Sequence, residues 1–129
     1  MKTEPNKTKV LVVDDDEAVL AATSYMLKRA GYDVDVTSEA LGLPLRVGKF
    51  RPHIILLDVD LPAIEGPRIA QTLKGLRSAE ESIIIFHSAE PEERLQRAVT
   101  ETGAAGYIPK GLRRDDFLAR LARFAGHRA

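Results

Sequence analysis

Short apolar runs along the chain are separated by longer segments in which apolar residues recur every three or four positions. Residues 9–14 (Lys-Val-Leu-Val-Val-Asp), 54–57 (Ile-Ile-Leu-Leu) and 82–87 (Ser-Ile-Ile-Ile-Phe-His) are near-continuous hydrophobic runs. Such runs predict strands buried on both faces, as in a parallel sheet covered by helices. Residues 33–37 alternate Asp-Val-Asp-Val and suit an edge strand with charge on one side. Residues 106–109 make a short fifth strand, and Pro109 is tolerable there if that strand is also an edge.

The intervening segments predict helices. Asp15 or Asp16 caps the first, which buries Val19, Ala22, Met26 and Ala30 and stops at Gly31. Ser38 opens a second, which Pro44 shortens or distorts because a proline in the interior removes a hydrogen bond. Pro62 and Gly66 mark a loop after the central strand, and Ile69, Leu73 and Leu76 set a third helix over residues 65–77. Pro91 occupies the first position of the fourth, with Glu92 and Glu93 in its favoured acidic first turn. Leu95, Ala98, Val99 and Thr102 form its buried face, and Gly103 ends it. Asp115 and Asp116 start a fifth helix with a stripe of Phe117, Leu118, Leu121, Phe124 and Ala125, closed by Gly126.

Five strands alternating with five helices, joined by right-handed crossovers, require an α/β fold with a doubly wound parallel sheet. The 129 residues are one domain's worth, expected over 9–126 after a loose polar tail at 1–8, with no output domain in this chain. The absence of cysteine removes thiolate metal ligands and thiol nucleophiles. Lys plus Arg equals Asp plus Glu at 19 each, so no global field steers the chain to nucleic acid, and no direct nucleic-acid binding is expected. No apolar run approaches the roughly 20 residues of a membrane span, so a soluble cytoplasmic protein is expected.

Three strands end in polar groups that converge at one end of such a sheet: Asp14 and Asp15, Asp58, and Ser88. Lys110 follows the fifth. Carboxylates held close repel one another unless a cation offsets them. An all-oxygen set favours a hard ion that keeps waters, which is Mg²⁺. A carboxylate beside Mg²⁺, faced by a lysine and a hydroxyl, suits acceptance of a phosphoryl group. Taken singly, these residues have ordinary readings: Asp14-Asp15 as a helix cap, Lys110 as a solvated lysine, Tyr107 as a half-buried edge aromatic. Neighbouring strand residues point to opposite faces, so His87 does not activate Ser88.

Together the residues resemble the receiver domain of bacterial two-component response regulators, over about 9–124. Val12-Val13-Asp14-Asp15 is similar to the acidic pair, and Leu56-Leu57-Asp58 with Leu61-Pro62 and Gly66 to the phosphoacceptor strand and loop. Ser88-Ala89 resembles the switch position, and Gly103 to Tyr107 leading to Lys110 resembles the segment carrying the switch aromatic and the lysine. The resemblance implies a flavodoxin-like strand order 2-1-3-4-5. It implies that Asp58 accepts a phosphoryl group from a sensor histidine kinase or histidine phosphotransfer protein. Asp15, Asp58 and the Asp60 backbone carbonyl would ligate Mg²⁺, with Asp14 acting through water. Ser88 and Lys110 would bind phosphoryl oxygens. Tyr107 would then turn inward and change the face built from the fourth helix, fifth strand and fifth helix, where a downstream protein target docks. Self-association as a homodimer is left open.

One departure concerns Gly111, which stands where the family usually has proline. A cis bond there would cost roughly 2.5–4 kcal/mol, so a trans peptide and a looser hold on Lys110 are expected. Acidic Asp60 and Glu90 stand at positions that in the family it resembles tune loss of the phosphoryl group. Arg113, Arg114, Arg120, Arg123 and Arg128 are read as the solvated side of the last helix. Two other functions use the same residues: a receiver-shaped adaptor that works without phosphorylation, and an Asp-x-Asp Mg²⁺-dependent phosphatase built on Asp58 and Asp60.

Overall fold

The computed structural model describes residues 7–61, 66–76 and 79–126. Five strands, β1 (Lys9–Val13), β2 (Asp33–Thr37), β3 (Ile54–Leu57), β4 (Ile83–Ser88) and β5 (Gly106–Pro109), form one sheet. All pairings are parallel and the order is β2-β1-β3-β4-β5. Five helices connect or follow them: α1 (Glu17–Arg29), α2 (Leu43–Phe50), α3 (Gly66–Lys74), α4 (Glu92–Thr102) and α5 (Arg114–Gly126). This is the expected doubly wound α/β arrangement.

Because side chains alternate across a strand, each buried run feeds two cores. Leu11, Val13, Ile55, Leu57, Ile84 and Phe86 pack with Leu43, Val47, Ile69, Leu73 and Leu95 on the side of α2, α3 and α4. Val10, Val12, Ile54, Leu56, Ile85 and Ile108 pack with Leu20, Leu27, Phe117 and Leu121 on the side of α1 and α5. The register pairs Val13 with Leu57 and Leu57 with Phe86, so β1 and β3 end level while β4 runs two residues further, to Ser88, at the same edge of the sheet.

Several element details differ from the sequence expectation. In α1 the buried stripe is Leu20, Thr23 and Leu27, while Ala22 and Ala30 are exposed. Burying a leucine removes far more apolar area than burying an alanine, and the helix turns accordingly. Asp16, not Asp15, is the cap: its side chain accepts from the amides of Ala18 and Val19. The second helix does not open at Ser38 but at Leu43, after Gly42 with φ 81°. Pro44 therefore sits in the first turn, where its missing N–H costs nothing.

Gly66 already lies in α3, which ends at Lys74, so Leu76 packs on the core from beyond the helix. Residues 62–65, on which the loop containing Pro62 was expected, lie outside the described residues. Pro91 is the N-cap of α4 rather than its first residue, and Val99 is only partly buried. In α5, Leu118, Phe124 and Ala125 are likewise only partly buried, leaving Phe117 and Leu121 as the buried pair. Arg113, Arg114, Arg120 and Arg123 are exposed as expected, and Arg128 lies outside the described residues. Of the expected tail, residues 1–6 lie outside the described residues, whereas Thr8 is tied down: its carbonyl accepts from the Asp33 amide at 2.9 Å. No described helix is long and apolar enough to cross a membrane.

Candidate functional site

At the carboxyl edge of the sheet the backbone itself brings the acids together. The Asp14 amide donates to the Thr37 carbonyl at 3.2 Å, and the Asp58 amide to the Val13 carbonyl at 3.1 Å, so β-type pairing continues one residue past each strand. Asp14 and Asp58 are consequently buried, 1 % and 6 % exposed, while Asp15 faces solvent. One carboxylate oxygen from each of Asp14, Asp15 and Asp58 lies within 4.8 Å of the others. Each of the two buried carboxylates also accepts from the chain two residues on: Asp14 Oδ1 from the Asp16 amide at 3.0 Å, Asp58 Oδ1 from the Asp60 amide at 3.1 Å.

Lys110 closes the pocket. Its ammonium lies 2.6 Å from Asp14 Oδ2 and 3.3 Å from Asp58 Oδ2. The Lys110–Gly111 peptide is trans, as expected. The expected loose hold is not observed: the Lys110 amide donates to the Ser88 carbonyl at 2.9 Å and Gly111 takes φ 91°, a turn open to glycine without strain. Burial opposes the Lys110 ammonium, but the hydrogen bond to Asp14 and the two carboxylate charges outweigh it and raise its pKa. Asp58 is also raised, first by burial and further by the Asp14 charge, against the lowering pull of the Asp60 amide and Lys110. The all-oxygen donor set of Asp14, Asp15 and Asp58 fits a hard divalent cation.

Ser88 is buried at the end of β4, and its hydroxyl accepts from the Glu90 amide at 3.2 Å. Tyr107 lies on the other side of this edge, packed on the α4 core, with its hydroxyl donating to Glu92 at 2.7 Å. Asp14, Asp15, Asp58 and Lys110 therefore share one pocket, Ser88 is joined to Lys110 through the backbone, and the Tyr107 hydroxyl points outward to Glu92.

The family model for the response regulator receiver domain matches residues 10–122. The chain belongs to that family. This receiver is 32% identical to the transcriptional regulatory protein KdpE of Mycobacterium tuberculosis, over 88% of this chain and 49% of that protein. It is 32% identical to the alkaline phosphatase synthesis regulator PhoP of Bacillus subtilis, over 79% of this chain and 42% of the other. The receiver thus spans about half the length of the curated relatives it matches. Among solved structures, a signal receiver domain from Bermanella marisrubri superposes with TM-score 0.82 at 30% identity, covering 93% of this chain and 99% of that one. A CheY-like receiver domain from Methanospirillum hungatei JF-1 gives TM-score 0.85 at 24% identity, covering 95% and 97%.

Sequence reasoning missed Arg94 of this receiver. Its guanidinium reaches Glu90 at 3.2 Å and Asp60 at 3.4 Å, roping the two acids together. The Glu90–Arg94 spacing of four was a readable helix pairing, but the link to Asp60 spans 34 residues and only the fold supplies it. Hydrogen bonding to Asp60, then partial burial, raises the pKa of Glu90, with Arg94 opposing.

Proposed function

We propose that this receiver is a Mg²⁺-dependent phosphoacceptor switch that takes a phosphoryl group on Asp58. The observation that carries the reading is the meeting of Asp14, Asp15 and Asp58 within 4.8 Å under the Lys110 ammonium. Asp14, Asp15, Asp58 and the Asp60 carbonyl would hold Mg²⁺, which when bound neutralises charge on the phosphoryl oxygens. A solved receiver of a sensor histidine kinase from Pseudomonas aeruginosa PAO1, alike in fold at TM-score 0.82 and 21% identity, has a magnesium ion coordinated in its active site cleft.

In the reaction, a carboxylate oxygen of Asp58 attacks phosphorus of a phosphohistidine on a histidine kinase or phosphotransfer protein. A P–O bond forms as the P–N bond breaks, and the imidazole keeps the electron pair. Lys110 gives up its contact with Asp58 to pair with a phosphoryl oxygen, while the Ser88 hydroxyl leaves the Glu90 amide and donates to another. The new dianion biases a two-state element: Ser88 shifts, Tyr107 leaves Glu92 and turns inward, and the face of α4, β5 and α5 changes for a downstream protein target. The side chain of Asp60 pairs with Arg94 outside the pocket, which favours this reading over an Asp-x-Asp phosphatase.

The test is incubation of the protein with acetyl phosphate and Mg²⁺, read by intact mass. One phosphoryl group per chain, absent in Asp58→Asn and in the presence of chelator, is expected. Catalytic turnover of phosphate monoesters would support the phosphatase instead, and no modification at all the phosphorylation-independent adaptor.

A further inference from the structure

Behind Lys110, on the α1/α5 side of the sheet, lies a second cavity of about 190 Å³. Its walls are mostly apolar, from Val19 and Met26 of α1, Leu112 and Phe117, with the Lys110 side chain on the flank towards the phosphoacceptor pocket. Two polar side chains break that lining. Thr23 and His87 both line the cavity and are only 5 % and 7 % exposed. The His87 imidazole lies against the Phe117 ring, 5.3 Å between centroids, and within the field of Lys110 and Asp14. Neither side chain holds a fully buried orphaned polar atom, so the Thr23 hydroxyl and the His87 ring reach the open space of the cavity, where a ligand can meet them.

We infer that this cavity is a binding site for a small, neutral, mostly apolar molecule of one ring bearing a hydroxyl- or amide-type group. A cavity of about 150 Å³ holds benzene, so the volume suits one substituted ring. Burial holds the His87 pKa down to about 4, with the Lys110 charge acting in the same direction, so at neutral pH the imidazole offers one donor and one acceptor. A charged ligand would lose its hydration to apolar walls, and the ammonium that could repay an anion is already taken by Asp14 and Asp58. Gly111 leaves the loop over the cavity free of a side chain: a Cβ there would meet nothing within 4 Å. Because Lys110 forms one wall, a bound ring packs against the residue that pairs with Asp58, and occupancy is felt in phosphoryl transfer. That last coupling rests on the function proposed above; the binding itself does not.

The test is an NMR titration of the whole chain with phenol and, in parallel, toluene. Saturable shifts centred on Thr23, His87, Gly111 and Leu112 are expected with phenol. His87→Leu should weaken phenol about tenfold, the loss of one buried hydrogen bond, while leaving toluene binding unchanged. Should that core change disturb folding, Ala22→Phe, at an exposed position on the rim, should block both probes in a protein with an unaltered spectrum. The inference is overturned if neither probe saturates, if the shifts centre elsewhere, or if ordered water alone satisfies His87 and Thr23. Acetyl phosphate labelling of Asp58 is read separately, so that failure of phenol binding with labelling intact overturns only this site. Labelling that fails while phenol binds removes only the coupling.

Discussion

The Lys110 ammonium sits closer to Asp14, at 2.6 Å, than to Asp58, at 3.3 Å. Before any phosphoryl group arrives, the lysine is chiefly the counter-ion of a carboxylate that is 1 % exposed. Removing one partner of such a pair strands the other charge. Lys110→Ala should therefore cost about 2–3 kcal/mol of stability in urea unfolding without divalent ions, and added Mg²⁺ should restore part of it. Unchanged stability, or a loss insensitive to Mg²⁺, would show that the Asp14 pair is not what holds the edge together.

Arg94 ropes Glu90 to Asp60. On the proposed function, the Asp60 and Glu90 carboxylates would weaken the hold on a phosphoryl dianion, and Arg94, paired with both, would offset them. Asp60→Asn is expected to slow phosphoryl loss several-fold and Arg94→Ala to hasten it, followed by intact mass after excess donor is removed. Equal decay in Asp60→Asn and the parent would mean that this charge does not reach the reaction.

Tyr107 is held outward by Glu92, and this bond also raises its phenol pKa. With Glu92→Ala, carbon-13 NMR of the tyrosine ring should show titration at lower pH and a larger share of the inward rotamer before phosphorylation. The pair is on the surface, so stability should change by no more than about 1 kcal/mol. A ring that stays outward in the variant would point to packing, not the hydrogen bond, as the restraint.

His87 supplies a pH dependence. Buried, it takes a proton only near pH 4, whereas in the unfolded chain it does so near 6.5. The unfolded state therefore binds more protons across that window, and acidification from about 6.5 to 4 removes stability, by roughly 3 kcal/mol from this group. The charged groups acting on it are Lys110, which lowers the value further, and Asp14, which opposes. Subtracting the stability profile of His87→Leu from that of the parent should isolate this slope, and parallel profiles would contradict it.

Much of this protein was set by the sequence. Unbroken apolar runs such as Ile54 to Leu57 can be buried on both faces only inside a helix-covered parallel sheet, so the fold class followed from local pattern. A strand that ends on an acid places that acid at the sheet's edge, which made Asp14, Asp58 and Ser88 legible as neighbours before any distance was known. Periodicity was weaker at one residue's resolution: it misplaced the buried stripe of α1 because alanine and leucine count alike as apolar but bury different areas. It also gave Pro44 a helix interior, since the left-handed turn at Gly42 that starts α2 later leaves no hydrophobic signature.

Which residues pair across the chain was settled by the fold alone. The preference of Lys110 for Asp14, the reach of Arg94 to Asp60, the tether of Tyr107 to Glu92 and the meeting of His87 and Thr23 on one cavity all join segments distant in sequence. Such contacts depend on strand register and helix rotation to within an ångström or two. Hydrophobic patterning specifies which face of an element is buried but carries no information at that precision.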